Sequence, residues 1–370
     1  MISNRGVSTA ANRWQKGLIL AIQQLGKQVI TLGHLPDSLW PKGGLILDSH
    51  MGVLPGEITG NLVGYWNLPF LRKFSLIARY RKETRRLIDT HGYPDAVIIY
   101  NPYPHNIVTG LWAQSLLGIP MICIVADPPL RGESSYFKRI SHSAGCVFLP
   151  WLSYKKWHQT PKLHLDGGIE KIKSFYPLFR STEKVSILYT GLISKANGIE
   201  LLLRGFQLLK NKDTELWLCG KCFDQKISDA IVNDSRIKYF GVVSEKKLEE
   251  LSMKTKLFVN PRLSNIPKNH EEFPSKILEY LSYGKPIITT KTDGISPEYK
   301  DVLVFLEKET PECMANTIDD VLQWNDNLLE NYYNRVCGFV KNEKLWSLQA
   351  EKLLDWISRE ITVSRNQIMP

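Results

Sequence analysis

Residues 271–288 read EEFPSKILEYLSYGKPII, a pattern typical of a helix that leads into a buried strand. Pro274 suits the first turn of a helix and Ser275 suits its N-cap. Gly284 is a natural stop for the helix, and the apolar pair at 287–288 begins the strand. The stretch therefore predicts a helix-to-strand junction of the kind found in α/β proteins.

Two carboxylates stand eight residues apart in this stretch. We expect Glu279 inside the helix and Glu271 on a loop before it, so that both face a ligand at the helix N-terminus. The free N–H groups and partial positive charge of that terminus suit a phosphate. Lys276 in the first turn opposes the helix dipole unless an anion lies nearby. Without these neighbours, both glutamates would be ordinary exposed surface acids.

The spacing Glu-x7-Glu, followed by Gly-Lys-Pro and a strand, resembles the nucleotide-sugar site of family 4 glycosyltransferases, which are retaining enzymes of the GT-B fold. Asn-Pro-Arg at 260–262 and Phe-Pro-Ser-Lys at 273–276 resemble the branch that builds bacterial surface polysaccharides. The resemblance implies that Glu279 holds the donor ribose and that Glu271 holds the sugar near its reacting carbon. It implies that Arg262 and Lys276 neutralise the diphosphate. It also implies donor-site positions at Phe273, Pro274 and Ser275.

The chain has 370 residues, of which 43% are apolar, and this length suits two domains. It lacks an apolar run of membrane-spanning length and a signal peptide, so we expect a cytoplasmic protein. Residues 1–180 carry 21 Lys/Arg and 10 Asp/Glu, giving +11, whereas residues 181–370 carry 26 and 27, giving −1. The basic first half indicates an anionic partner, either nucleic acid or a membrane. Because no nucleic-acid-binding motif is present, we predict an anionic membrane and no nucleic acid.

A basic segment in the first half is the candidate membrane surface. If residues 70–88 are helical, four basic residues share one face: Arg72, Arg79, Lys82 and Arg86. Apolar residues cluster on another face: Leu76, Ile77, Tyr80, Leu87 and Ile88. Such a helix can lie on the inner face of a cell membrane, with Trp66 and Phe70 as interfacial anchors. Alternatively, its apolar face packs on the domain core and its basic face is simply solvated.

The N-terminal segment predicts a loop and then a helix with Trp14, Leu18, Ile22 and Leu25 on one side. In GT-B enzymes a short strand usually precedes this helix; none is evident here, which suggests a truncated start or a replaced strand. The loop at Gly6 resembles the family's Gly-rich first turn, where backbone N–H groups approach a phosphate. A lone glycine before a helix is otherwise an ordinary turn.

Continuous apolar runs at 96–100 and 121–127 predict buried parallel strands, with a helix at 106–117 between them and a further strand at 146–150. Asn101 and Asp127 follow the ends of two of these strands, where ligands of open α/β sheets bind. In the resembling family this edge binds the acceptor, which makes both residues and His105 acceptor-side candidates. Their alternatives are a turn or cap residue and an incidental loop histidine.

The second half alternates strands with helices, which predicts a doubly wound parallel sheet. Strands are expected at 185–191, 214–219, 236–241, 256–260 and 285–290, with a helix at 198–211. No G-x-G-x-x-G follows a strand, which argues against a dinucleotide-dependent dehydrogenase. Gly241 and Val242 match the family's Gly-x-Val segment, whose backbone would contact the nucleotide base.

Two positions depart from the family pattern. Leu192 and Asn197 stand where the family commonly has an Arg and a Lys that bind diphosphate. Lys195 lies between them and is the expected substitute, together with Arg262 and Lys276. The sequence shows no metal motif, so we expect a UDP- or GDP-linked substrate, no cofactor and no metal. Cys219-Gly220-Lys221-Cys222 is either a redox pair, half of a zinc site or a strand end without function.

We therefore predict an α/β protein of GT-B architecture, with two Rossmann-like doubly wound domains that face a central cleft. Residues 1–180 would bind the acceptor, 181–340 the nucleotide sugar, and a helix within 341–370 would cross back to the first domain. The predicted activity is retaining transfer of a hexosyl group to a lipid-linked or membrane-proximal saccharide in cell-surface polysaccharide biosynthesis. Two alternatives stay open: a GT-B nucleotide-sugar epimerase, and a degenerate non-catalytic relative that acts as an assembly partner.

Overall fold

The computed structural model describes residues 9–54, 58–127, 134–174 and 185–362. The chain divides into two compact units. The first contains Met1–Gly168 and Trp346–Pro370, and the second contains Ile169–Leu345. Each unit contains a parallel β-sheet with helices.

The first unit begins with one helix and several short strands. These elements are α1 (Thr9–Gln24), β1 (Leu32–Gly33), β2 (Ile46–Leu47), β3 (His50–Leu54), β4 (Ile58–Leu62) and β5 (Tyr65–Trp66). Strand β4 lies between β1, which is parallel to it, and β3, which is antiparallel. Strands β2 and β5 form a separate antiparallel pair.

The remainder of the first unit before residue 168 is built on a four-stranded parallel sheet in the order β6-β7-β8-β9. Its elements are α2 (Leu71–His91), β6 (Val97–Tyr100), α3 (Pro104–Leu117), β7 (Met121–Val125), α4 (Ser134–Arg139), β8 (Gly145–Phe148), α5 (Trp151–Lys156) and β9 (Lys162–His164). A 3₁₀ turn covers Ile140–His142. The predicted strands and the helix between them are confirmed.

Strand β7 shows why this sheet forms. All five of its residues are buried, and they alternate between two core clusters. Ile122 and Ile124 pack on one side, while Met121, Cys123 and Val125 pack on the other. A strand that is buried on both faces must be apolar throughout, which explains the uninterrupted run MICIV.

The second unit is a six-stranded parallel sheet in the order β12-β11-β10-β13-β14-β15. Its strands are β10 (Ser186–Thr190), β11 (Glu215–Cys219), β12 (Ile237–Gly241), β13 (Leu257–Asn260), β14 (Ile287–Thr289) and β15 (Val304–Phe305). Its helices are α6 (Ile199–Leu208), α7 (Gln225–Val232), α8 (Glu245–Lys254), α9 (Pro267–Glu271), α10 (Lys276–Leu281), α11 (Pro311–Leu322) and α12 (Asp326–Phe339). A 3₁₀ turn covers Pro297–Tyr299, and a π-helical turn covers Val340–Lys344. The strand order 3-2-1-4-5-6 confirms the predicted doubly wound sheet.

The units divide at Gly168 and Ile169, whereas the sequence suggested a boundary at residue 180. The reason is that residues 169–174 pair within the second unit. Ile169 forms a bridge with Leu345, and the N–H of Lys173 donates to the Ser282 carbonyl at 2.7 Å.

The chain returns to the first unit at Trp346, where the sequence suggested residue 341. Helix α13 (Trp346–Trp356) packs along α1, and a π-helical turn, Ile357–Thr362, follows it. The Trp346 ring meets the Trp14 ring edge to face, with centroids 5.8 Å apart. The predicted packing side of α1 is confirmed, because Trp14, Leu18 and Ile22 are buried in this core.

The structure of helix α2 corrects the prediction that four basic residues form one face. Its apolar residues Leu76, Tyr80 and Leu87 are buried, so that side packs on the unit's own core. Arg72 turns inward, where its guanidinium donates to the Asp37 carbonyl at 3.1 Å. Arg86 pairs with Glu83 at 2.7 Å.

The remaining basic residues of the predicted face, Arg79 and Lys82, are exposed. The four residues therefore do not form one solvated face, because two of them bind partners within the unit. Within the part of the chain that is described, no helix combines the length and apolar character needed to cross a bilayer.

Candidate functional site

The strand order of the second unit places a topological switch point between β10 and β13. The sheet extends from β10 toward β11 and β12, and from β13 toward β14 and β15. The loops that leave these two strands therefore diverge, which opens a crevice at their carboxyl ends where α/β sheets bind ligands. Gly191 follows β10, and Arg262 lies two residues after β13.

Backbone packs directly on backbone at this edge. The N–H of Gly191 donates to the Cys219 carbonyl at 2.9 Å, and the N–H of Gly220 donates to the Gly241 carbonyl at 2.7 Å. Gly191 and Gly220 have φ of 126° and 143°. A Cβ atom on Gly220 would lie only 1.7 Å from the Gly191 carbonyl oxygen, so only glycine fits there. The first turns after β10 and β11 consequently form a floor without side chains.

Lys276 projects onto this floor from the first turn of α10. Its Nζ lies 3.3 Å from the Tyr189 hydroxyl and 4.3 Å from the centre of that ring. A Cβ atom on Gly191 would lie 2.8 Å from the same Nζ. The pKa of Lys276 is lowered to about 7, mainly by burial and then by the charge of Arg262, while Glu279 acts in the opposite direction. An anion at this position would restore the full charge of the amine.

Two tyrosine hydroxyls that the sequence analysis missed fix the elements around the lysine. The Tyr280 hydroxyl accepts from the Thr190 N–H at 2.9 Å, which ties α10 to the end of β10. The Tyr189 hydroxyl donates to the Leu192 carbonyl at 2.8 Å. Both rings come from stretches that read only as apolar core, so periodicity gave no sign of this role.

Arg262 lies near the lysine but already has partners. Its Nε donates to the Asn269 Oδ1 at 3.1 Å, and its terminal NH₂ group meets the Glu272 carboxylate at 3.0 Å. Lys268 also lies 3.4 Å from Glu272. One carboxylate thus balances two cations, and the sequence analysis missed it although Glu272 lies directly beside Glu271.

The two predicted glutamates occupy different helices. Glu279 lies in α10, three positions after Lys276, and its charge acts on that lysine. Glu271 ends the short helix α9, so the prediction that it lies on a loop was wrong. Pro267 starts this helix at its first turn, a signal present in the sequence. Both glutamate side chains are partly exposed.

The residues between these glutamates mainly support α10. Ser275 stands at the N-cap position but makes no side-chain capping bond, which corrects the predicted cap. The Phe273 ring packs against Tyr299 with centroids 5.5 Å apart, and Pro274 is buried. Gly284 has φ 62° and follows the end of the helix, as predicted. Helix α10 has only six residues, and Lys276 lies in its first turn.

The two positions that depart from the family pattern contact each other. The Asn197 Nδ2 donates to the Leu192 carbonyl at 2.8 Å, which closes the loop after β10. Lys195 points outward from this loop, 72% exposed and 3.8 Å from Glu200. Gly241 has φ 64° at the end of β12, and Val242 beside it is exposed.

The cysteine motif packs as part of the sheet. Cys219 ends β11 and is buried, and burial raises the pKa of its thiol to about 11. The Cys222 Sγ accepts from the Ser228 hydroxyl at 3.3 Å, and both cysteines are free. This geometry matches the interpretation of the cysteine motif as a strand end without function.

The first unit brings together two of its three candidates. Asn101 follows β6 with φ 58°, and its Nδ2 donates to the Asp127 Oδ2 at 3.1 Å. Its Oδ1 accepts from the Ala126 N–H at 2.8 Å, so the amide joins the ends of β6 and β7. Asparagine tolerates the left-handed backbone this requires. Gly6 lies outside the described residues.

His105 belongs to a separate aromatic cluster near the start of α3. Its ring lies 4.8 Å from that of His34 and 5.3 Å from that of Tyr80. Burial lowers the pKa of His105 to about 3 and that of His34 to about 4, so both imidazoles are neutral. His34 was missed because it is a lone histidine in no motif.

Comparison with known proteins agrees with this architecture. Residues 184–323 match the family model described as Glycosyl transferases group 1. A search of curated proteins finds no match. The sucrose-phosphate synthase of Thermosynechococcus elongatus has a similar structure, with TM-score 0.66, 14% identity and coverage of 95% of this chain and 92% of that chain.

Two further structures are similar. Anabaena HepE in complex with UDP gives TM-score 0.64 and 12% identity, with 82% of this chain and 87% of that chain covered. A glycosyltransferase of Rickettsia africae gives TM-score 0.61 and 15% identity, with 77% and 81% covered. The chain therefore has the fold of GT-B glycosyltransferases, and residues 184–323 match the model of Glycosyl transferases group 1.

Proposed function

We propose that this protein is a retaining glycosyltransferase that moves a hexosyl group from a UDP- or GDP-linked donor to a lipid-linked or membrane-proximal saccharide. We further propose that it acts in the biosynthesis of cell-surface polysaccharide, at the cytoplasmic face of a membrane. The observation that carries the proposal is the half-buried Lys276 amine held over the glycine floor at the switch point. A bound anion would stabilise the protonated form of an amine whose pKa is lowered by burial, and a diphosphate is such an anion.

The leaving nucleoside diphosphate gains negative charge as the sugar departs, and Lys276 would neutralise it. Arg262 would provide a second positive charge, with Glu272 holding its guanidinium in position. Lys195 would reach the diphosphate only by leaving Glu200. Because lysine and arginine supply the charge, the proposal needs neither a metal nor a cofactor.

The other donor contacts follow the resemblance to family 4. Glu279 would bind the ribose hydroxyls and Glu271 the sugar hydroxyls, while Gly241 and Val242 would present backbone to the base. Phe273, Pro274 and Ser275 would support the donor site mainly by positioning α10. The departing phosphate would itself take the acceptor proton, so no protein nucleophile is required. On the acceptor side, we propose the joined pair Asn101 and Asp127, with His105 as a neutral polar group.

The structures of Anabaena HepE with UDP and with UDP-glucose support a nucleotide-sugar donor by analogy of fold. The alternative of a degenerate relative rests on Leu192 and Asn197, which close the loop after β10 without a cation. Lys276 argues against it, since an amine partly desolvated for no ligand only destabilises the fold. An epimerase would need acid and base groups around the sugar, and it would need neither an acceptor nor a membrane surface.

The test is release of nucleoside diphosphate from a panel of UDP- and GDP-sugars, with and without membrane lipid extract. We expect release to require one donor together with the lipid, and to fall in Lys276→Ala and Glu279→Ala. Lys212→Ala is the matched control, because Lys212 is exposed and precedes β11 at the opposite edge of the sheet. No release from any donor, with no donor binding by calorimetry, would refute the enzyme. Product from donor alone, with an altered sugar, would favour the epimerase.

A further inference from the structure

The first unit carries an exposed apolar surface, which we name the aromatic tip. Its members come from the loop before β2, from β2 and β5, and from the start of α2: Trp40, Ile46, Trp66, Phe70, Leu71 and Phe74. Phe70 is 93% exposed and Phe74 is 67% exposed. Single exposed apolar residues are common in proteins, but six that converge on one place indicate an interaction surface.

The strand pair gives the tip a defined outer face. Ile46 lies directly opposite Trp66 in the β2–β5 pair, so their side chains project from the same side, and both are exposed. Their neighbours Leu47 and Tyr65 project from the other side into a small core, where Tyr65 is fully buried. The alternation that normally places apolar residues inside has here placed them on both faces.

Buried hydrogen bonds fix the tip in shape. Asn67 is fully buried, and its Nδ2 donates to the Ser38 carbonyl at 2.6 Å and to the Gly44 carbonyl at 2.9 Å. These bonds hold the loop that carries Trp40, whose N–H donates to the Asn67 carbonyl at 3.2 Å. The Trp66 N–H donates to the Ser75 hydroxyl at 2.9 Å, which ties β5 to α2. These hydrogen bonds therefore hold the aromatic tip in a defined conformation.

Phe70 adds a second, independent sign of function. Its φ is 64°, a left-handed conformation that costs free energy for a bulky side chain. Because Phe70 is almost fully exposed, folding recovers none of this cost by burying the ring. Strain at an exposed apolar residue is expected where a binding partner compensates for it.

The basic residues near the tip indicate the chemistry of its partner. Arg79 and Lys82 are exposed in the first twelve residues of α2, and Lys42 is exposed in the loop beside Trp40. Two carboxylates of this region already have partners: Asp37 accepts from the Ser38 and Gly44 N–H groups, and Glu83 pairs with Arg86. Aromatic side chains beside exposed cations match the acyl boundary and the phosphates of an anionic bilayer.

We propose that the aromatic tip inserts into the interface of an anionic lipid bilayer, with Lys42, Arg79 and Lys82 on the headgroups. This deepens the proposed function and rests on it for its purpose, since a lipid-linked acceptor lies at such a surface. It also revises the sequence-based membrane face, because Arg72 and Arg86 are used within the unit.

The experiment is flotation of the full chain with vesicles of phosphatidylcholine alone or of phosphatidylcholine mixed with phosphatidylglycerol. We expect binding to the anionic vesicles that weakens at high salt. Phe70→Asn should reduce this binding by about tenfold or more, since a full Phe side chain leaves the interface. Asparagine accepts the left-handed backbone, so this variant should fold at least as well as the wild type.

A second variant pair tests the cations. Arg79→Glu combined with Lys82→Glu should reduce binding to anionic vesicles by about tenfold or more and leave binding to neutral vesicles unchanged. The matched control, Lys155→Glu with Lys156→Glu, makes the same charge change at exposed positions of α5. Phe223→Asn is the control for Phe70→Asn, because Phe223 is 82% exposed in the second unit.

Equal binding by Phe70→Asn and wild type would overturn the proposal, as would absence of vesicle binding. The proposal would also be overturned if the protein does not bind vesicles but forms a dimer that Phe70→Asn dissociates. The tip would then be a contact surface for a second copy of the chain. Nucleoside diphosphate binding by calorimetry, measured on the same variants, separates the two proposals. Vesicle binding without nucleotide binding would support the membrane role of the tip and refute the transferase. Nucleotide binding without vesicle binding would support the transferase and refute the membrane role of the tip.

Discussion

The carboxyl edge of the second unit and the aromatic tip of the first unit depart from the usual burial pattern in opposite ways. At the first, an amine is partly withdrawn from water onto a floor of glycines. At the second, aromatic rings are held in water by a buried asparagine and a strained backbone. Both arrangements cost folding free energy, and both are over-determined by surrounding contacts. The comparison teaches that each exception to the usual burial pattern suggests its own kind of ligand: we propose an anion for the desolvated amine and a lipid surface for the exposed rings.

The largest expected effect is at the glycine floor. Gly220→Ala should lower the free energy of unfolding by about 4 kcal/mol or more, because its Cβ would overlap the Gly191 carbonyl and its φ is 143°. Gly241→Ala is the matched control: it has φ 64° with open space around it, so strain alone should cost about 1 kcal/mol. Urea unfolding measures both. Similar losses in the two variants would show that the close approach of the backbones does not matter.

Lys276→Ala should reduce glycosyl transfer by about 10²–10³-fold, the usual cost of removing one group that stabilises developing charge. Stability should change little or rise, because the variant no longer buries an amine. Steady-state kinetics with the preferred donor measures the loss, with Lys212→Ala as control. A variant with full kcat would remove Lys276 from the chemistry and leave it a packing residue.

Asn67→Ala should destabilise the first unit by about 2 kcal/mol, because the two hydrogen bonds that the buried Asn67 amide donates to the Ser38 and Gly44 carbonyls are lost. The same variant should weaken vesicle binding, since the loop that carries Trp40 is released. Urea unfolding and flotation measure the two effects. Unchanged flotation in a destabilised variant would show that the tip does not need its rigid shape.

The pKa of Lys276, about 7 in the free protein, predicts that nucleotide binding depends on pH. If the protonated amine binds the diphosphate, as we propose, raising the pH from 7 to 8 should weaken binding of UDP or GDP by about fivefold as the amine loses its proton. In Lys276→Arg the guanidinium stays charged, and this slope should disappear. Calorimetry across this range is the measurement. A slope that persists in the arginine variant would place the titrating group elsewhere.

The smallest expected effect has the opposite sign. Phe70→Asn should raise the free energy of unfolding by about 1 kcal/mol, because asparagine adopts φ 64° with less strain. Thermal unfolding tests this directly, with Phe223→Asn as the comparison at an ordinary exposed position. A stabilised variant that no longer binds vesicles would show that the chain keeps Phe70 for its surface and not for its fold.

Much of the second unit was predictable because its central strands β10, β13 and β14 are buried on both faces. The middle of such a strand must then be apolar, as in residues 187–189 and 257–259, and that pattern is local. Lys276 was also readable, because a lysine in a first helical turn conflicts with the helix dipole. Glu272, Asn269 and the two tyrosines were not, since each acts on a partner that no periodicity relates to it.

Sequence alone determined the alternation of strands and helices and the basic balance of the first half, because both depend on local pattern and composition. Only the tertiary structure decided which charges are used internally. Arg72 meets the Asp37 carbonyl, Arg86 meets Glu83, and Lys276 meets Tyr189. It also decided that Ile46 and Trp66 lie side by side at the surface, since strand pairing joins residues distant in the chain. The physical reason is that hydrophobicity reports how much of a side chain is buried on average, whereas a site depends on which atoms meet.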